Sequence, residues 1–227
     1  MKNILVIAIF TIFSISAFSQ FDRKAKEILD EANGKINSYS SMRAEFDFIM
    51  ENKQENIYET IEGKLLLKED KYKLDLMDVL TFCDGITIWT YMKDANEVNI
   101  SEPDTNDNSI LSNPTNIFSS YQKGYKYKFI EDKYVSKNIV HIIELYPEKL
   151  NLDLFEEDDD ESNNFSKIVL HIDQKNKQIR LIKFVGKDGN NYTIDIKKFQ
   201  SNEDVDDKSF IFNAKDYEEV EVIDLRD

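Results

Sequence analysis

Few residues in this chain are of a type that could do chemistry, and their spacing decides what they could do. There are two histidines, His141 and His171, and one cysteine, Cys83. His141 stands between Val140 and Ile142, and His171 between Leu170 and Ile172, which is how strand residues look. A catalytic metal site usually takes three protein ligands, and these two histidines supply no third ligand at a recognisable spacing. Cys83 could act as a nucleophile or an intermolecular link, but beside Phe82 in a strand-like run it reads as a small buried hydrophobe. No Gly-x-Ser-x-Gly elbow, phosphate-binding glycine loop or His-Glu-x-x-His pair occurs.

Acidic residues are plentiful, 44 in all, and two clusters could collect oxygen ligands. The run Glu156-Glu157-Asp158-Asp159-Asp160-Glu161 is contiguous, so its charges repel and need not converge on an ion; it reads as a solvated loop. Asp104-Thr105-Asn106-Asp107-Asn108-Ser109 resembles a calcium loop but lacks the glycine and the closing glutamate. Paired carboxylates for glycoside hydrolysis can be neither nominated nor dismissed among so many acids. The residues therefore point to binding rather than to an enzyme, and no metal or cofactor is expected.

The elements that would position any site follow from hydropathy patterning. Lys2 and an apolar run from Ile4 to Phe18, ending at Ala17-Phe18-Ser19, have the three-part form of a signal peptide. The run is short for a spanning helix. Residues 1–19 are thus expected to be removed, leaving residues 20–227 as one exported domain. An uncleaved anchor is the alternative. Lys2 is the only charge in the leader, so its loss takes the formal net charge from −15 to −16. A surface that acidic repels phosphate backbones and anionic headgroups, which argues against nucleic acid and against sustained adsorption on lipid. With a single cysteine there is no internal disulfide, so the core must supply the stability.

Ala25, Ile28, Leu29, Ala32 and Ile36 recur at helical spacing, with Asp22 placed to cap the start. From Met42 the period becomes two. Ala44, Phe46, Phe48 and Met50 alternate with Glu45, Asp47 and Ile49, and Tyr72, Leu74 and Leu76 with Lys71, Lys73 and Asp75. Ile168-Leu170-Ile172, Ile182-Phe184 and Tyr192-Ile194-Ile196 repeat the pattern, separated by turn signals such as Asp84-Gly85 and Asp188-Gly189-Asn190-Asn191. Many short alternating strands with little helix between them predict an antiparallel meander. In Ile86-Thr87-Ile88-Trp89-Thr90-Tyr91 both faces are apolar, with Ile86 and Ile88 one way and Trp89 and Tyr91 the other, so both sides need cover. The N-terminal helix is one candidate cover; a second is 114–121, where Pro114 can open a helix and Ile117, Phe118 and Tyr121 share a face. A curved sheet covered in this way could enclose an apolar pocket or merely a packed core.

The order of motifs resembles one family. Phe82-Cys83-Asp84-Gly85-Ile86-Thr87-Ile88-Trp89-Thr90-Tyr91 looks like the Asp-Gly-x-x-hydrophobic-Trp-x-Tyr signature of the outer-membrane lipoprotein carrier family, LolA. Ala44-Glu45-Phe46 and Gly63-Lys64-Leu65-Leu66-Leu67-Lys68 resemble its first strands, and Asn113-Pro114 with Ile117-Phe118 the segment after its long loop. Asp206-Asp207-Lys208-Ser209-Phe210-Ile211-Phe212 follows, and Val220-Glu221-Val222-Ile223-Asp224 resembles its closing segment, so the likeness spans nearly all of the exported chain.

The resemblance implies a mainly β (α+β) fold, an incomplete antiparallel β-barrel with helices as a lid over an apolar cavity. It also implies a periplasmic shuttle that takes acylated lipoproteins, or another lipid, from an inner-membrane transporter to an outer-membrane acceptor, and the protein is expected to be a monomer. Tyr72 and Leu74 are expected at the cavity from the resemblance; Phe46, Phe48 and Leu76 from strand alternation; Ile117, Phe118 and Tyr121 from the second helix. Two positions depart from the family: its Arg-Pro pair is replaced by Glu69-Asp70, and its tryptophan near the next strand by Leu74. The second reading is a sensing module of the same fold that recognises lipid, lipopolysaccharide or a misassembled protein. A hydrolase using unrecognised carboxylates is the third.

Overall fold

A computed structural model describes residues 22–103, 125–135, 137–147 and 165–226. Helix α1 (Arg23–Asn37) forms where the apolar stripe predicts it, and the Asp22 carboxylate accepts from the amides of Lys24 and Ala25, which caps the helix. Twelve strands follow: β1 (Met42–Asn52), β2 (Ile57–Lys68), β3 (Lys71–Leu76), β4 (Val79–Cys83), β5 (Ile88–Met92), β6 (Glu97–Ser101), β7 (Tyr125–Val135), β8 (Asn138–Pro147), β9 (Phe165–Asp173), β10 (Ile179–Gly186), β11 (Asn190–Ser201) and β12 (Glu221–Asp224).

They make one sheet in the order β12-β6-β5-β4-β3-β2-β1-β11-β10-β9-β8-β7. Every pairing is antiparallel except β12 on β6. Among the described residues the sheet is curled but unclosed, with β7 and β12 as its two edges. The fold is thus mainly β, with a single α-helix among the described residues and no closed barrel.

Directly opposed residues of an antiparallel pair point to the same face, so the register shows what each face carries. One row runs Phe129–Ile143–Leu170–Ile182–Ile194–Phe48–Ile61 across seven strands, from β7 to β2. Ala25, Ile28, Leu29, Ala32 and Ile36 of α1 pack on this face among Ile143, Leu145, Leu170, Ile172, Ile182 and Phe184, forming the main core. The opposite face of the same strands carries ion pairs, including Lys167–Glu144, Lys183–Glu51, Lys197–Asp47 and Lys198–Glu45. One covered apolar face and one charged face explain the strict alternation of these strands.

The other half of the sheet is covered from the opposite side. Leu80, Phe82, Tyr91 and Val98 pack under Phe212, with Trp89, Tyr217 and Val220 against them, and Leu66 packs with Val205 and Phe210. The two-sided character of β5 is therefore real, but its cover on the Trp89–Tyr91 side is the C-terminal segment. Helix α1, one candidate cover for this strand, lies instead on the β7–β11 half. The placement of Ile86 is corrected. The Asp84 carboxylate accepts from the amides of Ile86 and Thr87, Gly85 sits at φ 93°, and this turn leaves Ile86 76% exposed before β5 begins at Ile88. Glu69 adopts φ 54° in the tight turn between β2 and β3.

Candidate functional site

The five strand residues expected at a site, Phe46, Phe48, Tyr72, Leu74 and Leu76, are brought together on the α1 face. From β1 outward, one row runs Met42–Leu67–Tyr72–Cys83–Ile88 and the next Ala44–Leu65–Leu74–Thr81–Thr90. A third pairs Phe46 with Gly63; continuing the β2–β3 register one step past Lys64–Asp75 brings in Leu76, which pairs with Val79 and through it Met92. Phe48 opposes Ile61 and stacks on Tyr192 at 6.0 Å between ring centroids. Ile117, Phe118 and Tyr121 lie outside the described residues, as do the two acidic clusters at 104–109 and 156–161.

Burial changes along this face. Leu67, Tyr72 and Cys83 form a buried cluster, with Met42, Leu65, Leu74 and Ile88 half-buried against it. Met42 also packs against the core under α1, so the two apolar regions are continuous. Leu76, Ile61 and Val79 are half-buried as well. Across β1 to β5 the positions in register on this face include one charged residue, Glu59, near the outer end of β2. Glu45, Asp47, Lys64, Lys71, Lys73 and Asp75 all take the alternate positions. The result is an apolar strip beside the helix-covered core, with Glu59 the one charged residue in register on this face between β1 and β5.

Leu65 and Leu67 belong to this strip, with Ile88, but do not stand out in the sequence as Ile88 does. Leu65-Leu66-Leu67 is a continuous apolar run without a period, because Leu66 turns to the opposite face to meet Val205 and Phe210. The only signal was the alternation Gly63-Leu65-Leu67 itself.

The reactive side chains have other tasks. Cys83 is 2% exposed, and burial pushes its thiol above the usual value, which disfavours the nucleophilic thiolate. Its Sγ accepts from the Gly85 amide at 3.4 Å, tying the β4–β5 turn to the cluster. His141 is buried and held by Asp132 at the β7–β8 pair. His171 is half-buried; burial, then the neighbouring charge of Lys133, lowers its pKa. Among the described residues no group of three or more His, Cys, Asp and Glu side chains is placed to hold a metal ion, and no helix is long and apolar enough to cross a membrane.

Fold and face together define a class: a curled, largely antiparallel sheet, unclosed among the described residues and backed by α1, with an apolar strip continuing past that helix. The sequence model of the outer membrane lipoprotein carrier protein LolA matches residues 15–174, more than half of the chain, and the protein belongs to that family. The match ends at residue 174, so β10 to β12 and the C-terminal segment lie beyond it. Among solved structures, an uncharacterized conserved protein from Thermus thermophilus has a similar fold, with TM-score 0.57 and 10% identity over 89% of this chain and 99% of that one. The Mycobacterium tuberculosis lipoprotein LppX gives TM-score 0.49 and 12% identity, covering 82% of this chain and 98% of that one. A LolA superfamily protein from Nitrosomonas europaea gives TM-score 0.41 and 12% identity, covering 83% and 97%. A search among curated proteins finds no match.

Proposed function

We propose that this protein is a periplasmic carrier that holds the acyl chains of lipoproteins against the α1 face of its sheet and moves them from the inner to the outer membrane. The observation that carries the reading is the uncharged, half-buried strip of Leu65, Leu74, Leu76 and Ile88 beside a buried apolar core. Membership of the LolA family supports it. An acyl chain gains about 0.8 kcal/mol for each methylene it buries, so a carrier in water needs such a face. No covalent step is needed, and the protein is read as a non-enzymatic monomer that passes its load between a membrane transporter and an acceptor. Helices acting as a lid, with Ile117, Phe118 and Tyr121 on the ligand side, complete the same reading. So does export by a cleaved signal peptide.

The test is mass spectrometry of the native protein purified from the periplasm in mild buffer without detergent. Acylated lipoproteins bound near one to one are the expected result. Bound free lipid or lipopolysaccharide would move the assignment to a sensing module. A chain that arrives empty and takes up no added acyl ligand would overturn the carrier reading.

A further inference from the structure

Gly63 lies in the middle of a 12-residue strand. Glycine there weakens a strand, because it loses more conformational freedom than any other residue and offers no side chain to pack. Nothing in the local backbone calls for it. The β1–β2 register is unbroken, and Gly63 is not among the glycines with positive φ. What occupies the space is a ring. A Cβ on Gly63 would fall 2.3 Å from Cζ and 2.4 Å from Cε2 of Phe46. Phe46 therefore lies across β2, with its tip over the Gly63 backbone, instead of standing up from the face. It is 6% exposed in that seat.

Two further features converge on the same place. The pairing of β1 with β11 shifts register beside Phe46, with Glu45 opposite Lys198 and Phe46 opposite Ile196, so that Lys197 is the extra residue of a bulge in β11. Phe46 also lies where the apolar face changes character, with Phe48 and the α1-covered core on one side and the strip of Leu65, Leu74 and Leu76 on the other. The ring seated over Gly63 lies in the row that continues toward Leu76, and so marks the β1 end of the strip.

Resting on the carrier reading, we propose that Phe46, seated on Gly63, sets the length of acyl chain that the strip accepts. Gly63 is the positioning residue, since its lack of a Cβ keeps the ring down. A Gly63→Ala substitution lifts the ring into the strip and shortens the path. What gives way is the far end of a side chain and not backbone, so the strand keeps its pairing.

The experiment measures binding of saturated fatty acids of ten, fourteen and eighteen carbons to the full exported chain by titration calorimetry. The variants are Gly63→Ala, Phe46→Leu and the two together. Leucine lacks the Cε and Cζ atoms that a Cβ at 63 would meet, and it keeps apolar bulk where alanine could unfold the site. Each buried methylene is worth roughly fourfold in affinity, so Gly63→Ala is expected to weaken the eighteen-carbon acid by about tenfold and the ten-carbon acid much less. In the Phe46→Leu background the same change is expected to have no effect on either. A Gly63→Ala protein with unchanged chain-length dependence, or one whose defect persists beside Phe46→Leu, overturns the proposal while leaving the carrier reading intact. A wild-type chain that binds none of the acids overturns both.

Discussion

The buried ring of His141 meets Asp132 across the β7–β8 pair, with Nδ1 2.5 Å from Oδ1. An ionised carboxylate only accepts, so Nδ1 carries the proton in this contact. The other oxygen, Oδ2, lies 3.2 Å from Nζ of Lys24 in the first turn of α1, and that ammonium sits 3.5 Å from the centroid of the Phe129 ring. Asp22, having capped the helix with Oδ1, accepts from the Phe129 amide with Oδ2. Helix and edge strand are thereby locked at one corner of the core. Asp132→Ala leaves the His141 ring nitrogen without its acceptor, at a cost of about 1–3 kcal/mol for a buried polar group left unpaired. A urea midpoint equal to that of wild type would show that the corner contributes nothing.

The C-terminal segment is clamped by charge as well as by its aromatic rings. Asp207 lies 2.7 Å from Nζ of Lys68 and 2.5 Å from Nζ of Lys71, and these hydrogen bonds hold its carboxyl down to about 2. A carboxylate with a lowered folded pKa contributes stability that is complete above its ordinary value of 3.8 and is lost as pH falls toward about 2. Asp207→Asn is therefore expected to be less stable than wild type at pH 7, with the gap closing on acidification below about pH 4. Urea midpoints across that range read it directly, and a gap independent of pH would refute the clamp. Because the group is exposed, the gap should also narrow in high salt.

The elements that could be read from sequence are those whose pattern is local. The stripe of α1 with its Asp22 cap is complete within one stretch, and the alternation through Phe46 and Phe48, or through Tyr72, Leu74 and Leu76, fixes which residues of one strand share a side. That Tyr72 and Phe46 share a side of the sheet depends on register, which is a relation between strands and leaves no mark in either. The three-leucine run 65–67 hides its period because each side of β2 is buried by a different partner. Ile86 fits the alternation of β5 perfectly, yet the Asp84 turn removes it from the strand; a hydrogen bond from one side chain outweighs a pattern. Cover for Phe82 and Tyr91 comes from Phe212 and Tyr217, more than a hundred residues on, where neither composition nor period announces a partner.

The Asp84 turn makes its own prediction. Gly85 holds φ 93°, and an added Cβ would meet only Asp70 Cβ, at an ordinary 3.7 Å. The cost of Gly85→Ala is thus conformational and not steric crowding, about 1–2 kcal/mol for forcing an L-residue into left-handed backbone. Asn tolerates that region better, so Gly85→Asn should recover part of the loss. Equal stability of the three proteins in thermal melts would mean that the turn can relax to another geometry.

The strip itself is tested by charging it. Leu74 is half-buried in the row Ala44–Leu65–Leu74–Thr81–Thr90, so a glutamate there can keep its carboxylate partly in water while denying an acyl chain its apolar floor. The matched control is Thr60→Glu, which adds the same charge at an exposed position on the opposite face of β2, paired with Ile49. Both proteins gain one negative charge on a chain already at −15, so any general electrostatic effect on an anionic fatty acid is shared. Leu74→Glu is expected to weaken binding by more than about tenfold, the equivalent of losing contact with two or more methylenes, with Thr60→Glu close to wild type. Equal losses in the two variants would assign the effect to net charge. If neither variant changes the affinity, the ligand lies elsewhere on the molecule, and the α1 face between β1 and β5 is core alone.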